Sequence, residues 1–386
     1  MPPRKWSELA WIVLLSVVWF GIGWLANGRF QPTNLTLFNQ VLNGLSANQM
    51  GAVPDSRDLT YAALHGLVER LDDPHAAFLE PAVARRFQAD FDGRTGVIGL
   101  FPEFQDGQWV VSVVLPGQTA AASGLQSGDI LLAVDGVPVT AATTSPVISL
   151  LIRGPIGEPA QIVVSRDGVE RLFTPIREER FVADDPQLLE GNIAYLAQYT
   201  FTANAPEVVA ASLRQLMAQQ PAALIWDLRS NGGGSMEATQ QVLSYFIDDG
   251  VLFLAELQNG RQRTFAANGD GLATEIPLLV LIGERTYSSA ETAAVAIADH
   301  NRGILIGEPT HGKGTIQEVV DLVDGSKLQY TVAHWLSPTG QFYEGHGVPP
   351  DLFVADDPTT ETDEVLEFAL TYIRENLLAE SVTGNP

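Results

Sequence analysis

Residues 222–234 read AALIWDLRSNGGG. Leu224, Ile225 and Trp226 follow two alanines without polar alternation, and the run ends in a glycine-rich turn, the pattern of a strand buried on both faces. Working outward, NIAYLAQYT (192–200) reads as a strand and APEVVAASLRQLMAQQ (205–220) as a helix. Downstream come helix SMEATQQVLSYFI (235–247), strand IPLLVLIG (276–283), helix SSAETAAVAIADH (288–300) and strand GILIG (303–307). Strand and helix alternating at this spacing predict an α/β layered domain with a largely parallel sheet. In such sheets functional sites gather where strand ends turn through glycines into helices. The turns at Asn231–Gly234 and Tyr287–Ser289 fit that description.

The chain around this block has 386 residues, enough for two or three domains, and its 46% hydrophobic content supplies packed cores. Its 22 Lys and Arg stand against 46 Asp and Glu, a formal charge of −24. Such a surface repels nucleic acid, so no nucleic-acid partner is expected. Cysteine is absent, which excludes disulfides, a thiol nucleophile and cysteine-ligated metal.

At the N-terminus, Arg4 and Lys5 precede an apolar run from Leu9 to Ala26 that carries Trp11, Trp19 and Trp24. The run is long enough to span a bilayer, and the basic residues before it favour a cytoplasmic N-terminus. Residues 1–8 are therefore expected in the cytoplasm, 9–27 as a signal-anchor and the rest outside the cytoplasm, in a single-pass protein of the cell membrane. The rival is a cleaved signal peptide, for which no clear small-x-small site stands near Ala26. Residues 28–90 read as a helical region, with Leu35, Phe38 and Leu42, then Leu59, Ala63, Leu67 and Leu71, at helical spacing. The pattern breaks at Asp72–Pro74; His75 beyond it reads as a structural hydrogen-bonding residue.

From about Phe91 the grammar changes to short β-branched runs closed by glycine, as in WVVSVVLPG (109–117) and AQIVVSRDG (160–168). Two short strands flank Asp135-Gly136, and a helix is expected from Ser145 as N-cap, with Pro146 at its first position, stopping at Gly154. GVIGL (96–100), AAASGLQSGDILLAVDG (120–136) and LLIRGPIGEPAQIVVSRDG (150–168), in that order, resemble a PDZ domain over roughly 91–178. The resemblance implies a module that adds a peptide's C-terminal strand to a sheet edge. Gly96, Val97, Ile98, Gly99 and Leu100 would form its carboxylate loop and adjoining strand.

Chemistry concentrates in TYSSAETAAVAIADHNRGILIGEPTHGKGTIQ (286–317). Ser288 and Glu291 spell a capping box, which accounts for both residues without catalysis. The same serine also sits at a helix N-terminus, where unpaired amides and the dipole stabilise a developing oxyanion, provided a base activates it. His300, His311, His334 and His346 lie near in sequence. Lys313 is the stronger candidate: as a base it must be neutral, which burial in apolar surroundings favours. A solvated surface lysine is its plain alternative. The full phosphate-loop motif is not met, because Gly314 follows Lys313 where Ser or Thr is needed.

LIWDLRSNGGG, the 286–317 stretch and LSPTGQFYEGHGVPPD (336–351) resemble, in this order, the C-terminal processing peptidases. LDDPHAAFL (71–79) and the PDZ-like module extend the resemblance over nearly the whole chain after the apolar run. It implies hydrolysis of peptide bonds by a Ser-Lys dyad whose lysine lies 25 positions after the nucleophile. Here 313 − 288 = 25, which picks Ser288 over Ser289. Gln317, four residues after Lys313, completes the implied site, and the amides of Ser289 and Gly233 are the implied oxyanion hole. Departures are Tyr287 before the nucleophile, Ala290 in place of a serine, and Gly232 where proline is common.

The expected architecture is thus α/β: a crotonase-like protease core (179–357) with an inserted mainly β PDZ domain (91–178). An N-terminal helical region follows the transmembrane helix, and a helical tail (358–386) either docks on the core or serves a homo-oligomer. The expected function is a membrane-anchored serine endopeptidase acting on protein substrates recognised by their C-termini. No metal or organic cofactor is implied, since no histidines show the H-E-x-x-H spacing. The alternatives are an inert PDZ-containing scaffold and a crotonase-like acyl-transfer enzyme. In a regular strand Lys313 and Gln317 would lie about 13 Å apart, so a bend near Gly314 is expected if they touch.

Overall fold

The computed structural model describes residues 34–115, 117–179, 182–356, 360 and 362–378. The expected signal-anchor at 9–27 lies outside them. Among the described residues no helix is long and apolar enough to cross a membrane. The chain divides into two units, one up to Leu67 and one from Val68 onward. The first contributes helix Asn34–Asn48 and most of helix Ser56–Glu69, as their apolar spacing predicts.

The α/β core is built on a six-stranded sheet in the order Gln187–Leu189, Ile193–Ala197, Ala223–Asp227, Leu278–Ile282, Ile304–Gly307, Leu352–Phe353. Its pairs are parallel except the first. Every residue of Ala223–Asp227 and Leu278–Ile282 is buried, because helices cover both faces of a parallel sheet. Strand alternation sorts the side chains. Leu224, Trp226, Val280 and Ile282 join helices Ala205–Met217, Met236–Leu243 and Ser289–Asp299 in one core. Ala223, Ile225, Leu279 and Leu281 face the other way, against Val365, Ala369, Leu370 and Ile373. The described part of the C-terminal tail, helix Glu364–Tyr372 with the turn Ile373–Leu377, therefore docks on the core.

A second sheet joins Ala77–Leu79, Lys327–Leu336, Val251–Leu257 and Gln262–Ala266, with Thr315–Asp321 also paired to Lys327–Leu336. The expectation of a helical region through residue 90 is corrected here. Ala77, Phe78 and Leu79 are buried and pair antiparallel with Gln329, Leu328 and Lys327. The break at Asp72–Pro74 is thus a switch from helix to strand, and this segment belongs to the sheet that carries Gln317.

The PDZ-like module has its own sheet, Leu100–Gln105, Gln108–Val114, Ile130–Val134, Ile162–Arg166, Val169–Phe173, and its own core around Ile98, Val111, Ile148 and Ile162. Its helix is Ser145–Ile152, with Thr144 rather than the expected Ser145 in the N-cap position, making no side-chain cap bond, and Pro146 at the second helical position. Helix Pro81–Phe91 packs against it, with Arg86 donating to the Leu151 carbonyl at 2.8 Å and Asp90 paired to Arg153. Gly96–Val97 and Glu178–Glu179 form a two-stranded ribbon where the chain enters and leaves the module. Arg177, almost fully buried, ties this ribbon to Asp135 at 2.6 Å and to the carbonyls of Ile152 and Pro159.

Candidate active site

The site forms where two parallel strands end. Beyond Ala223–Asp227 the Leu228 carbonyl accepts from Thr286 Oγ1 at 2.9 Å, and the Asn231 carbonyl accepts from the Tyr287 amide at 3.0 Å. These bonds stitch the two predicted turns together. Ser288 follows with φ 58° and ψ −120°, a region costly for a side-chain-bearing residue, at the N-cap of helix Ser289–Asp299. The capping box is present. Its Glu291 carboxylate accepts from the Ser288 amide at 2.7 Å and does more than cap. It also takes the amides of Gly312 and Lys313, at 2.5 and 2.9 Å, and the Thr310 hydroxyl at 2.6 Å. One buried carboxylate therefore fixes the serine loop and the lysine loop to each other. Burial raises its proton affinity, and the four donors work against that rise.

The Lys313 backbone is further held by Trp335 Nε1, which donates to its carbonyl at 2.7 Å. Gly314 follows because a Cβ there would come 2.5 Å from Phe342 Cε2; its amide donates to Glu344 at 2.6 Å. The lysine thus lies between glycines because neighbouring backbone and rings leave no room for side chains. Burial lowers its pKa to about 8, opposed by the carboxylates of Glu344, Glu291 and Asp73. Nζ donates to Gln317 Oε1 at 2.6 Å and lies 5.4 Å from the Tyr287 ring centroid. His311 in turn meets that ring edge-on at 4.6 Å.

The contact to Gln317 needs no bend of a regular strand. Lys313 precedes strand Thr315–Asp321, whose register shifts by a bulge between Ile316 and Gln317. Among the described residues no hydrogen bond joins Ser288 Oγ to Lys313 Nζ.

Other sequence candidates fall elsewhere. His300 meets the Val251 carbonyl at 2.7 Å, His346 the Glu344 carbonyl at 2.7 Å, and His334 the Phe342 ring at 4.7 Å. None of the four histidines hydrogen-bonds Ser288 among the described residues. His75, read as structural, faces the lysine: burial lowers its pKa first and the Lys313 charge second. Among the described residues no cluster of three or more His, Asp or Glu side chains is placed to hold a metal.

Two assignments change. The Gly233 amide, expected in the oxyanion hole, donates to Asn231 Oδ1 at 2.9 Å. An Asx turn closes the loop and takes that donor. Gly233 still abuts the serine, since a Cβ on it would lie 2.7 Å from the Tyr287 carbonyl oxygen and 3.0 Å from Ser288 Cβ. The Ser289 amide has no acceptor among the described residues. In the PDZ-like loop, Gly96 donates to the Gly154 carbonyl at 2.7 Å and pairs, with Val97, in the linker ribbon. Those two residues are a stalk rather than part of a carboxylate loop. Ile98 turns into the core and Gly99, at φ 74°, makes the turn into Leu100–Gln105. That strand is an edge, paired on one side only, with Gln108–Val114. Its Phe101 ring lies 5.9 Å from the Arg285 guanidinium, three residues before Ser288.

The sequence family described as Peptidase family S41 matches residues 192–354, the stretch containing Ser288, Lys313 and Gln317, and the PDZ domain matches residues 110–166. The C-terminal processing peptidase, chloroplastic, of Tetradesmus obliquus is 31% identical over 318 residues, spanning 77% of this chain and 68% of that protein. The chain belongs to the C-terminal processing peptidases. A second member, the carboxyl-terminal-processing protease of Synechocystis sp., is 30% identical over 305 residues, 77% of this chain and 71% of the relative. A solved photosystem II D1 C-terminal processing protease superposes with a TM-score of 0.62 at 29% identity, covering 88% of this chain and 91% of that one. As a C-terminal processing peptidase the chain is a serine-type protease with a PDZ domain. The bonds of Glu291 to the lysine loop have no signal in the sequence; the S-x-x-E spacing announces only its contact with Ser288.

Proposed function

We propose that this protein is a membrane-anchored serine endopeptidase that hydrolyses protein substrates recognised by their C-termini, using Ser288 as nucleophile, Lys313 as general base and acid, and Gln317 to orient the lysine. The observation that carries the reading is the 2.6 Å hydrogen bond from Lys313 Nζ to Gln317 Oε1, beside a serine whose loop shares Glu291 with the lysine loop.

In this reading neutral Lys313 Nζ takes the Ser288 Oγ proton as Oγ bonds to the peptide carbonyl carbon. The Ser289 amide at the helix N-terminus stabilises the oxyanion. The C–N bond then breaks, and Lys313 returns the proton to the departing amine. Water hydrolyses the acyl ester, its proton passing first to Lys313 and then to Ser288 Oγ. Catalytic hydrogen bonds commonly tighten on substrate binding, and the Ser288–Lys313 contact forms at that stage.

The edge strand Leu100–Gln105 receives the substrate's C-terminal strand, with the amides of Ile98, Gly99 and Leu100 around its carboxylate. The Phe101–Arg285 contact links that edge to the serine loop. The apolar run from Leu9 to Ala26, with Arg4 and Lys5 before it, holds the enzyme in the membrane with its catalytic domain outside the cytoplasm.

The test is digestion of an unstructured protein with an apolar C-terminus by the full chain, beside Ser288→Ala and Lys313→Ala. Cleavage by the parent and by neither variant is expected. Full activity in Ser288→Ala overturns the dyad, and no cleavage by any of the three favours an inert scaffold.

A further inference from the structure

Gln317 can serve Lys313 only if its amide presents oxygen rather than nitrogen to the lysine, and an amide is free to flip. The hydrogen bonds around it decide the orientation. Gln317 Nε2 donates to Thr315 Oγ1 at 3.0 Å and to Thr331 Oγ1 at 3.1 Å. The Thr331 hydroxyl donates its single hydrogen to Asp73 Oδ1 at 3.1 Å. Asp73 is an acceptor on every side: Oδ2 takes the Thr331 amide at 2.9 Å, and Oδ1 takes the His75 amide at 3.0 Å as well as the hydroxyl. Burial opposes its charge, but these donors together hold the carboxyl below its ordinary range, so it is ionised and accepts only.

Resting on the dyad reading above, we propose that Asp73 is a positioning residue of the protease, setting the direction of a hydrogen-bond chain that runs from Asp73 through Thr331 and Gln317 to Lys313. The carboxylate forces the Thr331 hydrogen toward itself. The hydroxyl lone pairs then face Gln317 and take an N–H, and Oε1 is left for Nζ. An asparagine cannot replace Asp73, because two backbone amides approach two different oxygens. The segment before the PDZ module thereby orients a side chain that lies far from it in sequence.

The chain can be cut at two places. Thr331→Val removes the hydroxyl and keeps the Asp73 charge, whereas Asp73→Asn removes the charge and the acceptor. Both should lower kcat by roughly 10²-fold with KM little changed, the loss typical of a misplaced catalytic group. Both should also move the acid limb of the pH–rate profile to lower pH, since the lysine ammonium loses its oxygen partner. Glu291, Glu344 and His75 also face Lys313 and are unchanged in these variants. The Asp73 charge, which itself raises the lysine's pKa, is kept in Thr331→Val, so that variant isolates the hydrogen-bond chain.

Thr331→Ser keeps the hydroxyl and should restore kcat. In a Gln317→Ala background, Asp73→Asn should add no further loss, an outcome that general misfolding would not give. Thermal unfolding of each variant accompanies the kinetics. Additive losses, or wild-type kcat and pH profile in Thr331→Val, overturn the inference if Ser288→Ala is inactive. Activity in Ser288→Ala instead overturns the dyad reading itself.

Discussion

Glu291 accepts hydrogen bonds from the amide of Ser288 and from the amide of Lys313, so a single carboxylate spans the two residues proposed to share a proton. Gln offers one oxygen where Glu offers two, and four donors converge here. Glu291→Gln should leave at least one buried donor unpaired, at about 1–3 kcal/mol of stability. The resulting shift between the two loops should reduce kcat by roughly 10²-fold. Thermal unfolding and steady-state kinetics measure both, and an active variant of wild-type stability would refute the bridging role.

A second expectation concerns pH. With its pKa lowered to about 8, Lys313 is mostly protonated below that pH and mostly neutral above it. A base must be neutral, so kcat/KM should climb by about tenfold per pH unit on the acid side and level off above about 8. A profile flat from pH 6 to 9 would argue against lysine as the base. Gln317→Met should shift the limb to lower pH, because the ammonium loses its acceptor.

Gly233→Ala tests the packing beneath the nucleophile. The position has φ 77°, which costs an L-residue about 1–2 kcal/mol. The added methyl would also meet the Tyr287 carbonyl oxygen at 2.7 Å. Activity should be lost far out of proportion to the fall in unfolding temperature. An equal decline of the two would mean that Gly233 serves the fold alone.

The C-terminal helix is pinned by Arg229, which reaches Asp363 with two hydrogen bonds of 2.7 Å while pairing with buried Asp227 at 2.7 Å. Removing the guanidinium leaves Asp227 without its cation. Because Asp363 is half-exposed, Arg229→Ala should cost about 2–3 kcal/mol, below the range for a wholly buried pair. Denaturant unfolding measures this, and limited proteolysis should release the tail earlier than in the parent.

Periodicity made the core legible: unbroken apolar strands such as LLVLI, alternating with helices along the chain, predict a largely parallel sheet. The match of Ser288, Lys313 and Gln317 to the spacing found in the C-terminal processing peptidases likewise points to one site. What escaped depends on pairing between distant segments. Asp73 and Thr331 are 258 positions apart, and nothing local in LDDPH marks it as the anchor of a glutamine on another strand. Ala77–Leu79 was missed for the same reason, since three residues carry too little alternation to announce a strand. Gly233 was assigned by its place in a motif, whereas the direction of its amide is set by the Asn231 side chain.

The ribbon of Gly96–Val97 against Glu178–Glu179 places the first and last residues of the PDZ domain side by side. A module whose ends meet on a short stalk can be excised or exchanged as a cassette without re-registering the protease sheets. Chimeras that swap only the intervening 98–177 therefore offer a route to retarget this scissor to new tails while keeping its blade.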